Sequence, residues 1–123
     1  FVSPPNLRIG DDIKFHLKEH NLNYKEEENL KKVLPNVDVI YMTRIQKERM
    51  DSSNYKLAKG KYIINEGNIN LISKDSRILH PLPHVEEIQL LLDTERNDKR
   101  VAYFRQAENG LYVRMALLHH LLT

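Results

Sequence analysis

The chain has 123 residues and 41% apolar content, enough for one domain with a real core. Its 19 basic and 17 acidic residues leave a formal net charge of +2, which makes no case for nucleic acid or a membrane surface as partner. The absence of cysteine excludes disulfides, thiolate metal sites and a cysteine nucleophile, and no apolar run approaches the roughly 20 residues that span a bilayer.

Phe1-Val2 running into Ser3-Pro4-Pro5 reads as the tail of a strand entering a loop, as expected of a domain cut from a longer protein, with processing as the rival explanation. Asp11 and Asp12 then suit a helix N-terminus, Ile13 and Leu17 lie one turn apart, and Asn21 can end the helix. Leu22 to Tyr24 is a short strand candidate. Glu26, Glu27 and Glu28 open a second predicted helix with Leu30, Val33 and Leu34 on its apolar face, and Pro35 stops it. Val37 to Met42 is β-branched and almost continuously apolar, the pattern of a central strand covered on both faces of a parallel sheet.

Directly after that strand the composition turns polar, from Thr43 to Arg49, before the loop-like Asp51 to Asn54. Ligands of open α/β sheets bind outside the carboxyl ends of strands, so this cluster is a site candidate, with a solvated loop as the alternative. Tyr62 to Ile64 is expected to form a short strand and Asn65 to Ser73 a helix with Ile69 and Ile72 inward. Arg77 to Leu79 forms a further strand that ends in His80-Pro81-Leu82-Pro83. Proline fixes φ and lacks an N–H, so backbone carbonyls at this turn are free to meet a ligand, and the Leu82–Pro83 bond has access to the cis form. Such a stretch can also do no more than end a strand. If both strands run parallel, the polar cluster and the turn share one rim.

Ile88 to Leu92 is expected as one or two helical turns and Asp93 to Arg100 as a charged loop. In the last segment Asn109-Gly110 signals a hairpin, but Ala107, Leu111, Met115, Leu118 and Leu122 fall at helical spacing and favour a long helix. A glycine inside it, Gly110, suggests close backbone packing. His16 and His20, and the adjacent His119 and His120, read as surface or packing residues, so no metal site is expected.

VDVIYMTRIQKER at Val37 to Arg49, ILHPLP at Ile78 to Pro83, YFRQAENGLYVRMALL at Tyr103 to Leu118 and SPPNLRI near the start together resemble the aspartate-binding domain of the aspartate carbamoyltransferase family. The related ornithine enzymes resemble the chain less, since they typically carry Cys after the His of this turn. The resemblance implies a three-layer, Rossmann-like α/β domain with a mainly parallel sheet and a long C-terminal helix. Residues 1–123 would be the L-aspartate-binding domain, lacking its first strand and helix and the N-terminal carbamoyl-phosphate domain with its Ser-Thr-Arg-Thr motif. It further implies carbamoyl transfer from carbamoyl phosphate to the amine of L-aspartate in pyrimidine synthesis, without cofactor. The full-length protein would act as a homotrimer in the cytoplasm or a plastid, and the fragment alone would be inactive.

By the same resemblance Arg44 and Gln46 bind aspartate carboxylates, the Pro81 and Leu82 carbonyls contact the carbamoyl group, and Arg49 anchors the loop to Glu86. A guanidinium fork does suit a carboxylate, and an exposed carbonyl an N–H donor. The chain departs from the family at two positions, with His84 where Arg is usual and Glu86 where Asp is usual. Glu86 can reach with its longer stem, whereas His84 gives up a fixed charge and is expected to weaken the loop anchoring or make it pH-dependent. A non-catalytic α/β assembly module of the same fold is the alternative function, and it would be expected to lose the binding residues before the fold.

Overall fold

The computed structural model describes residues 1–45, 55, 56 and 58–123. The chain opens in extended backbone that forms a parallel bridge from Val2 to Glu27, with Ser3 N–H donating to the Glu27 carbonyl at 3.1 Å. Helix α1, Asp11–Glu19, begins on its two aspartates and ends where Asn21 takes a φ of 53°, the left-handed conformation that asparagine tolerates at a helix end. The strand expected at Leu22 to Tyr24 is not formed, and the three glutamates do not open a helix. Glu27 serves the bridge to Val2, and the short helix α2, Leu30–Val33, starts only after Asn29, whose side chain accepts from the Lys31 N–H at 3.0 Å.

Strand β1, Val39–Tyr41, pairs in parallel with β3, Arg77–Leu79, in the register Val39 to Arg77, Ile40 to Ile78 and Tyr41 to Leu79. A second parallel pair joins β2, Ile64–Asn65, to β4, Ile88–Gln89. Among the described residues β3 rather than β1 has neighbours on both edges, because Ile78 also bridges Val101. Nor is β1 covered on both faces: Ile40 is buried, while Val39 and Tyr41 are 54% and 56% exposed.

Further expectations change in the second half. Asn65 to Ser73 is not one helix but the end of β2 followed by a 3-10 turn, Ile69–Leu71; the inward placement of Ile69 and Ile72 nevertheless holds. Asn68 enforces the break, since its side chain accepts from the Asn65 N–H at 3.0 Å and donates to the Ile63 carbonyl at 2.7 Å. Ile88 to Leu92 contributes strand β4 instead of helical turns, and the charged stretch after it carries helix α3, Leu92–Asn97. Helix α4, Tyr103–Leu122, is the long C-terminal helix expected, but only Tyr103 of it is buried. Gly110 is not closely packed: a Cβ built there would meet nothing nearer than the Arg114 guanidinium at 3.6 Å.

The core gathers Leu30 and Leu34 from the α2 region, Ile40, Ile64, Ile78 and Ile88 from the four strands, and Tyr103 from the start of α4. Met42 and His80, the first residues beyond β1 and β3, are both buried, so both chain segments that leave those ends start from a packed base.

Candidate functional site

The register of β1 on β3 sets the site. Tyr41 lies opposite Leu79, the Met42 N–H donates to the Leu79 carbonyl at 2.9 Å, and both strands end on the same side. Arg44, exposed three positions beyond Tyr41, and the turn that begins at His80 therefore leave one rim, as the sequence anticipates for parallel strands. Gln46 and Arg49, assigned to aspartate and to loop anchoring, lie outside the described residues.

At the turn, Leu82–Pro83 is a cis peptide bond and Leu82 has a φ of 53°. Pro81 and Pro83 are exposed, and among the described residues neither the Pro81 nor the Leu82 carbonyl accepts a hydrogen bond. Among the described residues both acceptors are open, the condition that proline chemistry sets for meeting a ligand.

Beneath the turn lies a polar network that the sequence reasoning assigns no role. The buried His80 accepts from the Leu82 N–H through Nδ1 at 2.8 Å, and its Nε2 lies 2.8 Å from Oε1 of Glu87, which also accepts from the Val85 N–H at 3.1 Å. The His80 backbone N–H donates to Oε1 of Gln106 at 3.0 Å, and the Gln106 amide reaches the Tyr41 hydroxyl at 3.4 Å. One residue of α4 thereby ties the end of β1 to the end of β3. These contacts follow no helical or strand period, so spacing holds no signal for them; the only sign in the sequence is a histidine and a glutamate flanking a proline turn.

His84 sits on the far side of the turn. Its Nε2 is 2.7 Å from Oε1 of Glu95 in α3, and the same oxygen accepts from the Tyr103 hydroxyl. The His84 ring also meets the Tyr103 ring edge-on at 5.4 Å. Burial, reinforced by the bond to Glu95, pushes the Tyr103 hydroxyl well above the ordinary tyrosine range, so it remains a donor. The histidine found in place of the usual arginine thus has a carboxyl partner supplied by α3. Glu86 is exposed and pairs with Lys59 at 3.4 Å. His20, read from the sequence as a surface or packing residue, turns its Nδ1 to the His16 carbonyl at 2.9 Å.

Comparison with known proteins gives a consistent picture. The family model described as aspartate/ornithine carbamoyltransferase, Asp/Orn binding domain, matches residues 1–121. A chloroplastic aspartate carbamoyltransferase of Oryza sativa subsp. japonica is 46% identical, with all of this chain and 34% of that protein covered. The catalytic subunit of the Clostridium acetobutylicum enzyme is 45% identical, over 98% of this chain and 39% of that one. Among solved structures, the catalytic subunit of M. jannaschii aspartate transcarbamoylase superposes with a TM-score of 0.81 at 41% identity, covering 96% of this chain and 38% of that one. A Trypanosoma cruzi aspartate transcarbamoylase in complex with carbamoyl aspartate and phosphate gives 0.78 at 29% identity, over 95% and 37%. The chain spans about a third of the length of the curated relatives it matches.

Proposed function

The chain belongs to the aspartate/ornithine carbamoyltransferase family through its Asp/Orn-binding domain, and from that membership we propose that it supplies the L-aspartate half of an aspartate carbamoyltransferase. The observation that carries the reading is the shared rim of β1 and β3. There a guanidinium at Arg44 and the Pro81 and Leu82 carbonyls, which accept no hydrogen bond among the described residues, leave adjacent strand ends.

In this reading Arg44, with Gln46, holds aspartate carboxylates, and the two carbonyls accept from the carbamoyl amine. The aspartate amine attacks the carbamoyl carbon of carbamoyl phosphate and the C–O bond to phosphate breaks, giving carbamoyl aspartate and phosphate. Orientation and charge stabilisation supply the catalysis, with no cofactor or covalent intermediate. Carbamoyl phosphate is held by the N-terminal domain typical of the family, and the complete enzyme is a homotrimer with a three-layer, Rossmann-like aspartate domain, working in pyrimidine synthesis in the cytoplasm or a plastid. The plant relatives named chloroplastic support the plastid option. Arg49 and Glu86 anchor the loop after β1, and Lys59, already paired with Glu86, contributes to the same anchoring.

The test is product formation by the full-length protein that carries this chain. With carbamoyl phosphate and L-aspartate it is expected to give carbamoyl aspartate, and with ornithine to give essentially no product. Arg44→Ala is expected to raise the aspartate KM about 10- to 100-fold, the loss of one charge-assisted contact of roughly 1.5–3 kcal/mol. A wild type that prefers ornithine, or an Arg44→Ala enzyme with unaltered aspartate KM, would sink the assignment.

A further inference from the structure

His80 is the most constrained polar side chain at the rim and has no part in the scheme above. Its side chain is 1% exposed and that of its partner Glu87 is 5% exposed. Resting on the carbamoyl-transfer reading, we propose that His80 is a positioning residue that aims the Pro81 carbonyl at the carbamoyl group, with Glu87 holding the imidazole in the tautomer this requires.

The Leu82 N–H and the Pro81 C=O belong to one planar group, and this group is trans, since the cis bond lies one residue later at Leu82–Pro83. In a trans unit N–H and C=O point in opposite directions. Fastening the N–H to a buried ring nitrogen at 2.8 Å therefore turns the carbonyl away from the core and towards the rim. Without that fastening the unit can rotate about its flanking φ and ψ, and the carbonyl loses its aim while the sheet beneath is unaffected.

The fastening works only with Nδ1 unprotonated. The other neutral tautomer would set the Nδ1–H against the Leu82 N–H, donor against donor. Glu87 selects the productive form, because its Oε1 lies 2.8 Å from Nε2 and accepts the proton there. The same oxygen takes the Val85 N–H at 3.1 Å, so the two limbs of the turn are referred to one buried pair. The backbone of His80 is held independently by Gln106 at 3.0 Å, which leaves the ring little freedom to drift. Two separately fixed ends and an acceptor turned outward are what a carbonyl needs to act as a preorganised acceptor, where a displacement of about 1 Å can cost on the order of 100-fold in rate.

Two substitutions in the full-length enzyme separate this role from simple burial of a polar pair. Asparagine places an amide oxygen near the position of Nδ1, and glutamine places an amide nitrogen near that of Nε2. His80→Asn therefore keeps the acceptor for Leu82 and loses the contact to Glu87, whereas His80→Gln does the reverse. Both are expected to lower the melting temperature. The expected split is in kcat: His80→Gln falls by about 30- to 100-fold and His80→Asn by less than about fivefold, with the aspartate KM of both within about threefold of wild type. Equal kcat losses, or losses that follow melting temperature, would overturn the positioning role. A second readout needs no substitution: 15N shifts of the histidine-labelled wild type are expected to show a His80 ring protonated at Nε2 and bare at Nδ1, and the opposite pattern overturns the proposal even if neither variant folds. A folded wild type that forms no carbamoyl aspartate removes the reaction on which the proposal rests and overturns both, whereas an active wild type with unsplit variants removes the positioning role alone.

Discussion

Asp98 and Arg100 form the shortest charge contact among the described residues, and it lies away from the rim. The guanidinium bonds both carboxyl oxygens of Asp98 and also donates to the Ile69 and Ile72 carbonyls at 2.7 and 2.9 Å, closing the 3-10 turn against the approach to α4. That contact holds the Asp98 carboxyl below its ordinary range, against the opposing effect of burial. Because the folded value is depressed, the stabilisation is fully present above the unfolded carboxyl value of about 4 and disappears as pH falls through the folded one. Asp98→Asn is expected to cost about 1–2 kcal/mol at pH 7 and progressively less as pH falls through the folded carboxyl value, which urea melts at pH 7 and along an acid series would read directly. A difference that persisted in acid would show that packing, not charge, makes the contact. Arg100→Ala is expected to cost more at pH 7, since it also strands two carbonyls.

At the scale of elements, Gly110 offers a plain test. Among the described residues nothing within ordinary contact distance opposes a Cβ except the flexible end of Arg114, and the Gly110 backbone is helical, so Gly110→Ala in residues 1–123 is expected to stabilise α4 by about 1 kcal/mol. Helicity by circular dichroism together with the melting temperature would show it; a loss of stability would mean that the helix is closely approached there after all. The helix cost of Gly110 suggests close packing, but spacing cannot tell what faces a helix. Elsewhere the sequence was a better guide where composition was extreme. The apolar run before Thr43 and the proline turn after Leu79 located both limbs of the rim. The five residues from Ile88 to Leu92, apolar except for Gln89, are too short a run to resolve a period, and pairing with Ile64 and Asn65 makes the first two a strand. Likewise Asp93 to Asn97 looked like loop because it is charged, yet it carries acid in its first turn and Arg96 in its last, the order a helix dipole favours. His80, Glu87 and Gln106 escaped because they meet through a turn and a helix far apart in sequence, where no local rule operates.

For the whole molecule the informative feature is apolar surface. Leu111, Met115, Leu118 and Leu122 on α4, and Val39 and Tyr41 on β1, are all more than half exposed. These are the residues whose spacing announced a buried helix face and a covered strand, so the sequence pattern describes a larger packed body than residues 1–123 provide. The family supplies the comparison, since the curated relatives are about three times as long as the match. If the carbamoyl-phosphate half of the proposed enzyme covers part of this surface, residues 1–123 alone should differ from the full-length protein in two ways. They should fail to form carbamoyl aspartate, because the proposal assigns carbamoyl phosphate to the other half, and they should self-associate with rising concentration. Leu118→Glu is then expected to abolish that association in sedimentation velocity while lowering the melting temperature of the full-length protein by several degrees, the signature of a buried contact broken by a charge. A full-length Leu118→Glu protein with unchanged melting temperature would mean that this helix face stays in water in the complete enzyme. Turnover by residues 1–123 at a rate comparable to the full-length protein would place both substrates within the rim and remove the need for a second half.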